Sequence, residues 1–316
     1  MPTADDRWTL PEPGSRYPLA LLGRGIEPDQ ASVRFFGILA LVIGAAGYSI
    51  ASTSVNLFVE WLGWLLEGRP GTLADYATRS SAFETVAGLV AANLAIGSAI
   101  LVAAGLLRLL HRRRATWLWS VTPGVRWRFL LACFLVGLVV LVGLQFLLSG
   151  VPALKPQPDV AAFVVAILIT SPIQAAAEEV FFRGYLMQAL GLVWRREWFA
   201  VVGSALLFAL FHGTQNPPLF FHRFMFGLIM GALVWRTGGL EASIGAHIAN
   251  NLGAFLWAAL TSSVAQARAI QELTWLSAVE EIAGFAVFAL IAWWIAERMR
   301  VQATVGTGLS VTRPLR

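Results

Sequence analysis

The chain has 316 residues, of which 57% are hydrophobic and only 13% charged, and its mean hydropathy is +0.69. Soluble globular domains carry about a quarter charged residues, so this composition excludes an ordinary soluble domain and indicates a protein that crosses a membrane several times. The net charge is +5, and all basic residues but Lys155 are arginine. We interpret the charge as that of cytoplasmic loops, with no nucleic-acid partner, and the arginine bias as that of a bacterial lineage.

Eight apolar segments have lengths typical of membrane helices, which need about 20 apolar residues. They cover residues 33–58, 83–110, 128–149, 159–190, 198–212, 218–236, 240–263 and 277–299. The predicted fold class is therefore an all-α membrane protein with about eight transmembrane helices and a polar active-site cavity between the central and later ones.

We divide the chain into four parts on this basis. Residues 1–32 form a cytoplasmic N-terminal tail, and residues 33–158 form the first transmembrane helices with a linker rich in Arg and Trp. Residues 159–263 form a core that contains the intramembrane polar residues. Residues 264–316 form the last transmembrane helix and a cytoplasmic tail.

The arginines indicate the orientation in the membrane. Eight crossings place both termini on one side, and 17 of the 23 basic residues fall on that side, against five on the other. The positive-inside rule then places both termini in the cytoplasm. We expect a multi-pass protein of the bacterial plasma membrane.

The linker over residues 111–128 interleaves arginines with Trp117, Trp119 and Trp127. It could be an interfacial helix that touches anionic headgroups. The favoured alternative is an ordinary cytoplasmic loop with an aromatic belt.

Two adjacent glutamates, Glu178 and Glu179, lie in the fourth segment, where a carboxylate is costly. Glu179 and Arg183 are four residues apart, in the order that favours an ion pair on one helix face. We expect this pair to neutralise both charges through a bidentate contact. Glu178 points about 100° away around the helix and is left without a local partner. It is then either a general base or a protonated structural group.

The fifth segment is short for a membrane span. Residues 198–211 cover about 21 Å, less than the roughly 30 Å of the hydrocarbon core. Residues 213–218 read Gly-Thr-Gln-Asn-Pro-Pro, and irregular backbone at that depth needs protein or water partners. We expect His212 to face a water-filled cavity that is lined by Phe208, one turn earlier. The alternative is a packed, hydrogen-bonded histidine.

His247 and Asn251 are also four residues apart and share a helix face, whereas Asn250 is turned away. An imidazole with an amide supplies an acid or base and a donor for an oxyanion. The alternative is a polar contact between helices.

His222 and Arg223 lie near the start of the sixth segment. We interpret them as interfacial groups on the non-cytoplasmic side.

A second glutamate pair, Glu280 and Glu281, begins the eighth segment. It has no arginine four residues later, so we interpret it as a solvated helix start.

Three motifs follow one another on separate predicted spans: Glu178-Glu179-x-x-x-Arg183, Phe208-x-x-x-His212 and His247-x-x-x-Asn251. With them the chain resembles the CAAX-protease and bacteriocin-processing family of intramembrane endopeptidases, also called the Rce1-like or Abi family. The resemblance covers about residues 159–260, and the eight-helix layout is also similar.

The resemblance implies that Glu178 and His212 activate a water, which attacks a peptide carbonyl. His247 and Asn251 would stabilise the resulting oxyanion. The other motif residues would have a supporting role: Glu179, Arg183 and Phe208.

A metal is an open alternative, because one carboxylate and two imidazoles can form a zinc shell. Its ligands would be Glu178, His212 and His247, although the usual His-Glu-x-x-His motif is absent from the chain. We favour a mechanism that requires no cofactor, with zinc as the alternative.

The predicted function is an intramembrane endopeptidase that acts on membrane-associated peptides or membrane-anchored proteins, with access from the cytoplasmic half. One alternative is a non-catalytic membrane binding protein or a bacteriocin-immunity protein that uses the same cavity. A proton-coupled transporter is less favoured, because the polar groups cluster in three spans and no internal repeat is present.

Overall fold

Each of the eight predicted segments is a helix in the computed structural model, which describes residues 9–23, 31–150 and 153–307. Parts of the predicted tails, residues 1–8, 24–30 and 308–316, lie outside the described residues. The helices are α1 (Ala31–Leu66), α2 (Leu73–Ser81), α3 (Val86–Leu109), α4 (Trp127–Leu148), α5 (Val160–Trp194), α6 (Glu197–Leu210), α7 (Pro217–Thr237), α8 (Glu241–Thr261), α9 (Val264–Arg268) and α10 (Trp275–Arg298).

Helix length and hydropathy confirm an all-α membrane protein. Six of the described helices are long and apolar enough to cross a bilayer: α1, α3, α4, α5, α7 and α10. α6 is apolar but has only 14 residues. α8 has 21 residues, and its sequence includes His247, Asn250 and Asn251. The two predicted spans outside the apolar set both bear polar motif residues on or just after them, as does α5 within the set.

The chain between α6 and α7 is irregular, as the sequence predicts. Gly213 has a φ of +74°, which a residue without a Cβ adopts readily. α7 then begins with Asn216 as its N-cap, whose side chain accepts a hydrogen bond from Leu219 N at 3.1 Å. Pro217 follows at the first helical position, where a missing N–H costs nothing.

Both chain-terminal segments lie at one end of the helix bundle, which we call the terminal end. It is formed by residues 9–23, 110–126, 238–240 and 299–305. Gly14 N donates to Val305 O at 2.8 Å and Val305 N donates to Ser15 O at 2.9 Å, so the two terminal segments pair directly. This placement is what an even number of crossings requires.

The terminal end is closely packed over the ends of α5 and α8. Tyr17 is fully buried and donates from its hydroxyl to Leu118 O. A Cβ at Gly191 would overlap the carbonyl of Pro18, so the N-terminal segment lies directly on α5. Arg126 Nε donates to Glu241 Oε1 at 2.8 Å, and its Nη2 lies 2.5 Å from Glu241 Oε2.

The Arg/Trp linker has a single 3₁₀ turn, Ala115–Leu118, and Trp117 is buried. It therefore packs as a loop and does not form the alternative interfacial helix. Arg113 is buried within it and donates to Leu21 O at 3.3 Å. Burial lowers the pKa of Arg113 to about 9. Burial, with a smaller contribution from Arg113, lowers the pKa of His111 to about 4.

The opposite end, which we call the distal end, is formed by residues 67–85, 153–159, 211–216 and 262–274. Lys155 N donates to Leu260 O at 2.8 Å, and Asn216 N donates to Gln271 O at 3.0 Å. α5 runs from the distal end to the terminal end, and α8 runs in the opposite direction.

Small residues bring α8 against α4. A Cβ at Gly245 would lie 2.7 Å from Phe134 N, and one at Gly137 would lie 2.8 Å from the Cβ of Ala249. Such close approach is how helices pack in a membrane, where burial of apolar surface gives no advantage over lipid. Because α8 also packs against α5, the polar residues of the two helices meet between them.

Candidate active site

The first motif lies where α5 changes its hydrogen-bonding pattern. Glu178 is the last residue of an α-helical stretch, and Glu179–Leu186 is a π-helical segment. π-helical turns are rare and frequently occur at functional sites. Arg183 Nη1 donates to Glu179 Oε1 at 3.1 Å, so the predicted ion pair is present, and both side chains are fully buried.

The predicted bidentate contact is not formed. Arg183 Nε and Nη2 and Glu179 Oε2 have no hydrogen-bond partner among the described residues. The reason is that the guanidinium lies 4.0 Å from the ring centroid of Phe208 and 5.5 Å from that of Phe226. These rings hold the cation by their negative faces. Phe208 therefore contacts the arginine as well as the histidines.

His247 lies between the two glutamates. Its Nδ1 is 2.8 Å from Glu179 Oε1, and its Nε2 is 3.4 Å from Glu178 Oε2. The partner of Glu178 is thus not a local one, because α8 supplies it, which no spacing within α5 could indicate. One imidazole joins both carboxylates.

The two glutamates differ in their access to solvent. The Glu179 side chain is 0% exposed and that of Glu178 is 12% exposed. Within this pair only Glu178 is able to contact a water molecule without a rearrangement of the helices.

His212 lies just past α6 and is partly exposed. Its Nδ1 is 2.7 Å from Phe208 O, and its ring centroid is 4.5 Å from that of Phe208. A carbonyl only accepts hydrogen bonds, so Nδ1 is the donor and Nε2 of the neutral ring is left as an acceptor. The Phe208 ring centroid is also 6.2 Å from that of His247, so both histidines adjoin the same aromatic ring.

Asn251 is one turn beyond His247 and contacts a residue that the sequence analysis missed. Its Nδ2 donates to Gln174 Oε1 at 2.8 Å, while Asn250 Nδ2 donates to Asn251 Oδ1 at 3.3 Å. These two contacts fix the orientation of the Asn251 amide. Gln174 is four residues before Glu178, so the spacing in the sequence indicates that the two side chains share a face of α5.

The polar stripe on α5 continues towards the distal end. Asn93 of α3 donates from Nδ2 to Thr170 Oγ1 at 2.8 Å and to Ser171 Oγ at 3.2 Å. Thr170 precedes Gln174 by four residues, so the stripe follows one face of the helix.

The zinc alternative requires Glu178, His212 and His247 to converge on one ion. Among the described residues, no group of three or more His, Cys, Asp or Glu side chains is placed to hold a metal ion. Both nitrogens of His247 face carboxylates, Nδ1 that of Glu179 and Nε2 that of Glu178.

The expected polar cavity is also not evident. A groove of about 530 Å³ between α3 and α5 is lined almost wholly by apolar side chains such as Val90 and Val165.

The site itself is packed, and the exposure of its residues increases towards the distal end. Arg183 is buried and His247 is nearly so, whereas His212 and Asn251 are partly exposed. The terminal end is closed beneath Arg183, so the site is more exposed on its distal side than on the side of the termini.

The groups that were interpreted as interfacial have partners. His222 Nε2 lies 2.8 Å from Glu281 Oε2, so Glu281 is not simply solvated. Arg223 Nη1 donates to Gln215 Oε1 at 2.8 Å. Cys133 is buried on α4 and is not part of the cluster.

The fold and the site together define a membrane protein whose ionisable groups are assembled between its helices. Residues 160–253 match the family model described as type II CAAX prenyl endopeptidase Rce1-like. Over these residues the chain is similar to the Rce1-like family, as the three motifs predict, and the match covers every motif residue.

One curated relative is the uncharacterised protein YyaK of Bacillus subtilis (strain 168). It is 37% identical over 94 residues, which cover 28% of this chain and 31% of that protein. The chain thus spans about a third of the length of this relative.

Proposed function

We propose that the chain is an intramembrane endopeptidase that hydrolyses peptide bonds of membrane-associated peptides or membrane-anchored proteins. Similarity to the Rce1-like family implies a membrane protease. The observation that carries the proposal is the asymmetry of the glutamate pair. Glu179 is buried and paired with Arg183, whereas Glu178 is partly exposed beside the His247 imidazole.

In the proposed resting state both glutamates are ionised and His247 is protonated on both nitrogens. The charges of the two carboxylates, Arg183 and His247 then sum to zero, which limits the cost of burying them. The role of Glu179 and Arg183 is to hold His247 and α5 in place rather than to contact the substrate.

Glu178 is the proposed general base. It takes a proton from a water molecule, and the oxygen of that water forms a bond to the carbonyl carbon of the substrate. His212 Nε2, which is free to accept, holds the second hydrogen of the same water. When the tetrahedral intermediate breaks down, the C–N bond opens and Glu178 returns the proton to the leaving amine.

The oxyanion of the intermediate needs donors. Asn251 has a second amide hydrogen that its contact with Gln174 does not use. His247 Nε2–H becomes available once Glu178 is protonated and no longer attracts it. Donors of this kind contribute about 10²–10³ in rate.

The proposed setting is the bacterial plasma membrane with both termini in the cytoplasm. The arginine distribution and the pairing of the two terminal segments at one end support this orientation. The substrate would then reach the site from the distal end or from the lipid beside it.

The test is cleavage of a fluorogenic peptide library by the detergent-purified protein, with and without a strong chelator. Glu178→Gln and His212→Ala are expected to lower the rate at least a hundredfold while the protein stays folded. Glu280→Gln is the matched control, because Glu280 belongs to the other glutamate pair of the chain and should have no effect. Activity that is lost on chelation and restored by zinc would contradict the mechanism. A folded wild type that cleaves no peptide would favour the binding or immunity alternative.

A further inference from the structure

Arg223 lies on the site-facing side of α7 near the distal end. Phe226, three residues later on the same helix, has its ring centroid 5.1 Å from that of His247. Residues three apart share a helix face. Arg223 therefore points towards the same side of α7 as a residue that packs directly on the catalytic cluster.

A glutamine holds Arg223 beside the second motif. Gln215 Oε1 accepts from Arg223 Nη1 at 2.8 Å, and Gln215 Nε2 donates to Ala209 O at 2.8 Å. Gln215 follows His212 by three residues, so this contact fixes the guanidinium next to the loop that carries His212. The charge of Arg223 acts on His212, and that of Glu178 acts on Arg223.

Arg223 has no ion pair among the described residues, although it is only partly exposed. The four carboxylates seen in ion pairs are bound elsewhere: Glu178, Glu179, Glu241 and Glu281. A second arginine, Arg268 at the end of α9, lies near enough for its positive charge to act on Arg223. Arg223 thus adjoins the site on the side where its residues become exposed, and Arg268 lies at the same end of the bundle.

We propose that Arg223 binds a carboxylate of the substrate, with Arg268 adding to the positive field at this subsite. The inference rests on the proposed peptidase function. The guanidinium is the group that matches a carboxylate geometrically, and its neutral partner Gln215 positions it without neutralising it. The carboxylate would be the free C terminus of a peptide or an acidic side chain near the scissile bond.

Peptide pools that differ in one group test the proposal and separate these sources. Three internally quenched octapeptide pools are compared: one with a free C terminus, one with a C-terminal amide, and one with the amide and a glutamate near the C terminus. With the wild type we expect the free-acid pool to have a KM about tenfold to a hundredfold lower than the amide pool, the range of a charge-assisted hydrogen bond. Low KM only for the third pool would assign the subsite to an acidic side chain.

Arg223→Gln is expected to abolish the preference for the carboxylate, and Arg223→Lys to retain part of it. Arg236→Gln is the control, because Arg236 packs on Trp293 at the other end of α7 and should not alter the acid-to-amide ratio. Equal KM values for all three pools in the wild type, or an unchanged ratio in Arg223→Gln, would overturn the proposal.

Failure of the peptidase function is a separate result. If no pool is cleaved, the same three pools are ranked by how far they raise the unfolding temperature of the wild type and of Arg223→Gln. A carboxylate preference that depends on Arg223 then supports the subsite in a non-catalytic binding protein. No such preference would reject the subsite as well.

Discussion

The two ends of the helix bundle contain the same kinds of residue but use them differently. At the terminal end, Arg126 and Glu241 form a bidentate pair, Arg113 is buried, and the two terminal segments pair with each other. At the distal end, Arg223 has a neutral partner and the His212 loop is partly exposed. The Arg126–Glu241 pair and the paired terminal segments close one end, whereas Arg223 at the other end keeps a neutral partner, and this is the end from which we propose that a ligand approaches.

The cluster on α5 and α8 lies between these ends and shares features of both. Arg183 and Glu179 are packed like the terminal end, whereas Glu178, Asn251 and His212 approach solvent like the distal end. Variants on the closed side should therefore reduce stability, and variants on the open side should reduce catalysis. Four predictions test this division.

The largest expected effect is that of Arg183→Met. It leaves Glu179 fully buried with one cation fewer, and breaking a buried pair by removing one partner costs about 3–5 kcal/mol. The double variant Arg183→Met with Glu179→Leu should recover most of this free energy of unfolding, measured by thermal unfolding in detergent. Equal stabilities of single and double variants would mean that the pair is not what holds this region together.

His111 gives the terminal end a pH dependence. Its pKa in the folded protein is about 4, below the usual value of about 6.5, so the unfolded chain binds the proton first as the pH falls. The contribution of the neutral His111 to the free energy of unfolding is complete above pH 6.5. It decreases towards pH 4, by at most about 3 kcal/mol. His111→Gln should flatten the dependence of the unfolding temperature between pH 6.5 and 4. A variant with the same pH profile as the wild type would assign that profile to other groups.

Arg126→Gln should destabilise the protein by about 2 kcal/mol, less than Arg183→Met because the Arg126 side chain is 17% exposed. The kcat of the protein that remains folded should not change, because Arg126 is at the end remote from His212. A large fall in kcat at constant folded fraction would show that the terminal end is coupled to the site.

The smallest effect is expected for Gln174→Leu, which removes one hydrogen bond to Asn251 and costs about 1 kcal/mol of stability. We expect kcat to fall about tenfold with little change in KM, because a mobile amide stabilises the oxyanion less well. Gln302→Leu, at the terminal end, is the control. A rise in KM with unchanged kcat would indicate that Gln174 serves substrate binding instead.

The sequence by itself determined what depends on neighbours along the chain. Apolar runs located eight of the ten described helices, and the i, i+4 spacing of Glu179 and Arg183 placed them as a pair. The short fifth segment followed by Gly213 and two prolines correctly predicted an irregular loop. Each of these is a local property, fixed by helix geometry and by the cost of unpaired backbone in lipid.

Only the tertiary structure decided which helices meet and how closely. His247 lies between Glu178 and Glu179 because α8 packs against α5 and, through Gly245, closely against α4. The Asn251–Gln174 contact, the closed terminal end and the neutral partner of Arg223 follow from the same packing. The spacing of residues within a helix specifies its faces, but the partner of each face depends on small residues and hydrogen bonds in several helices at once.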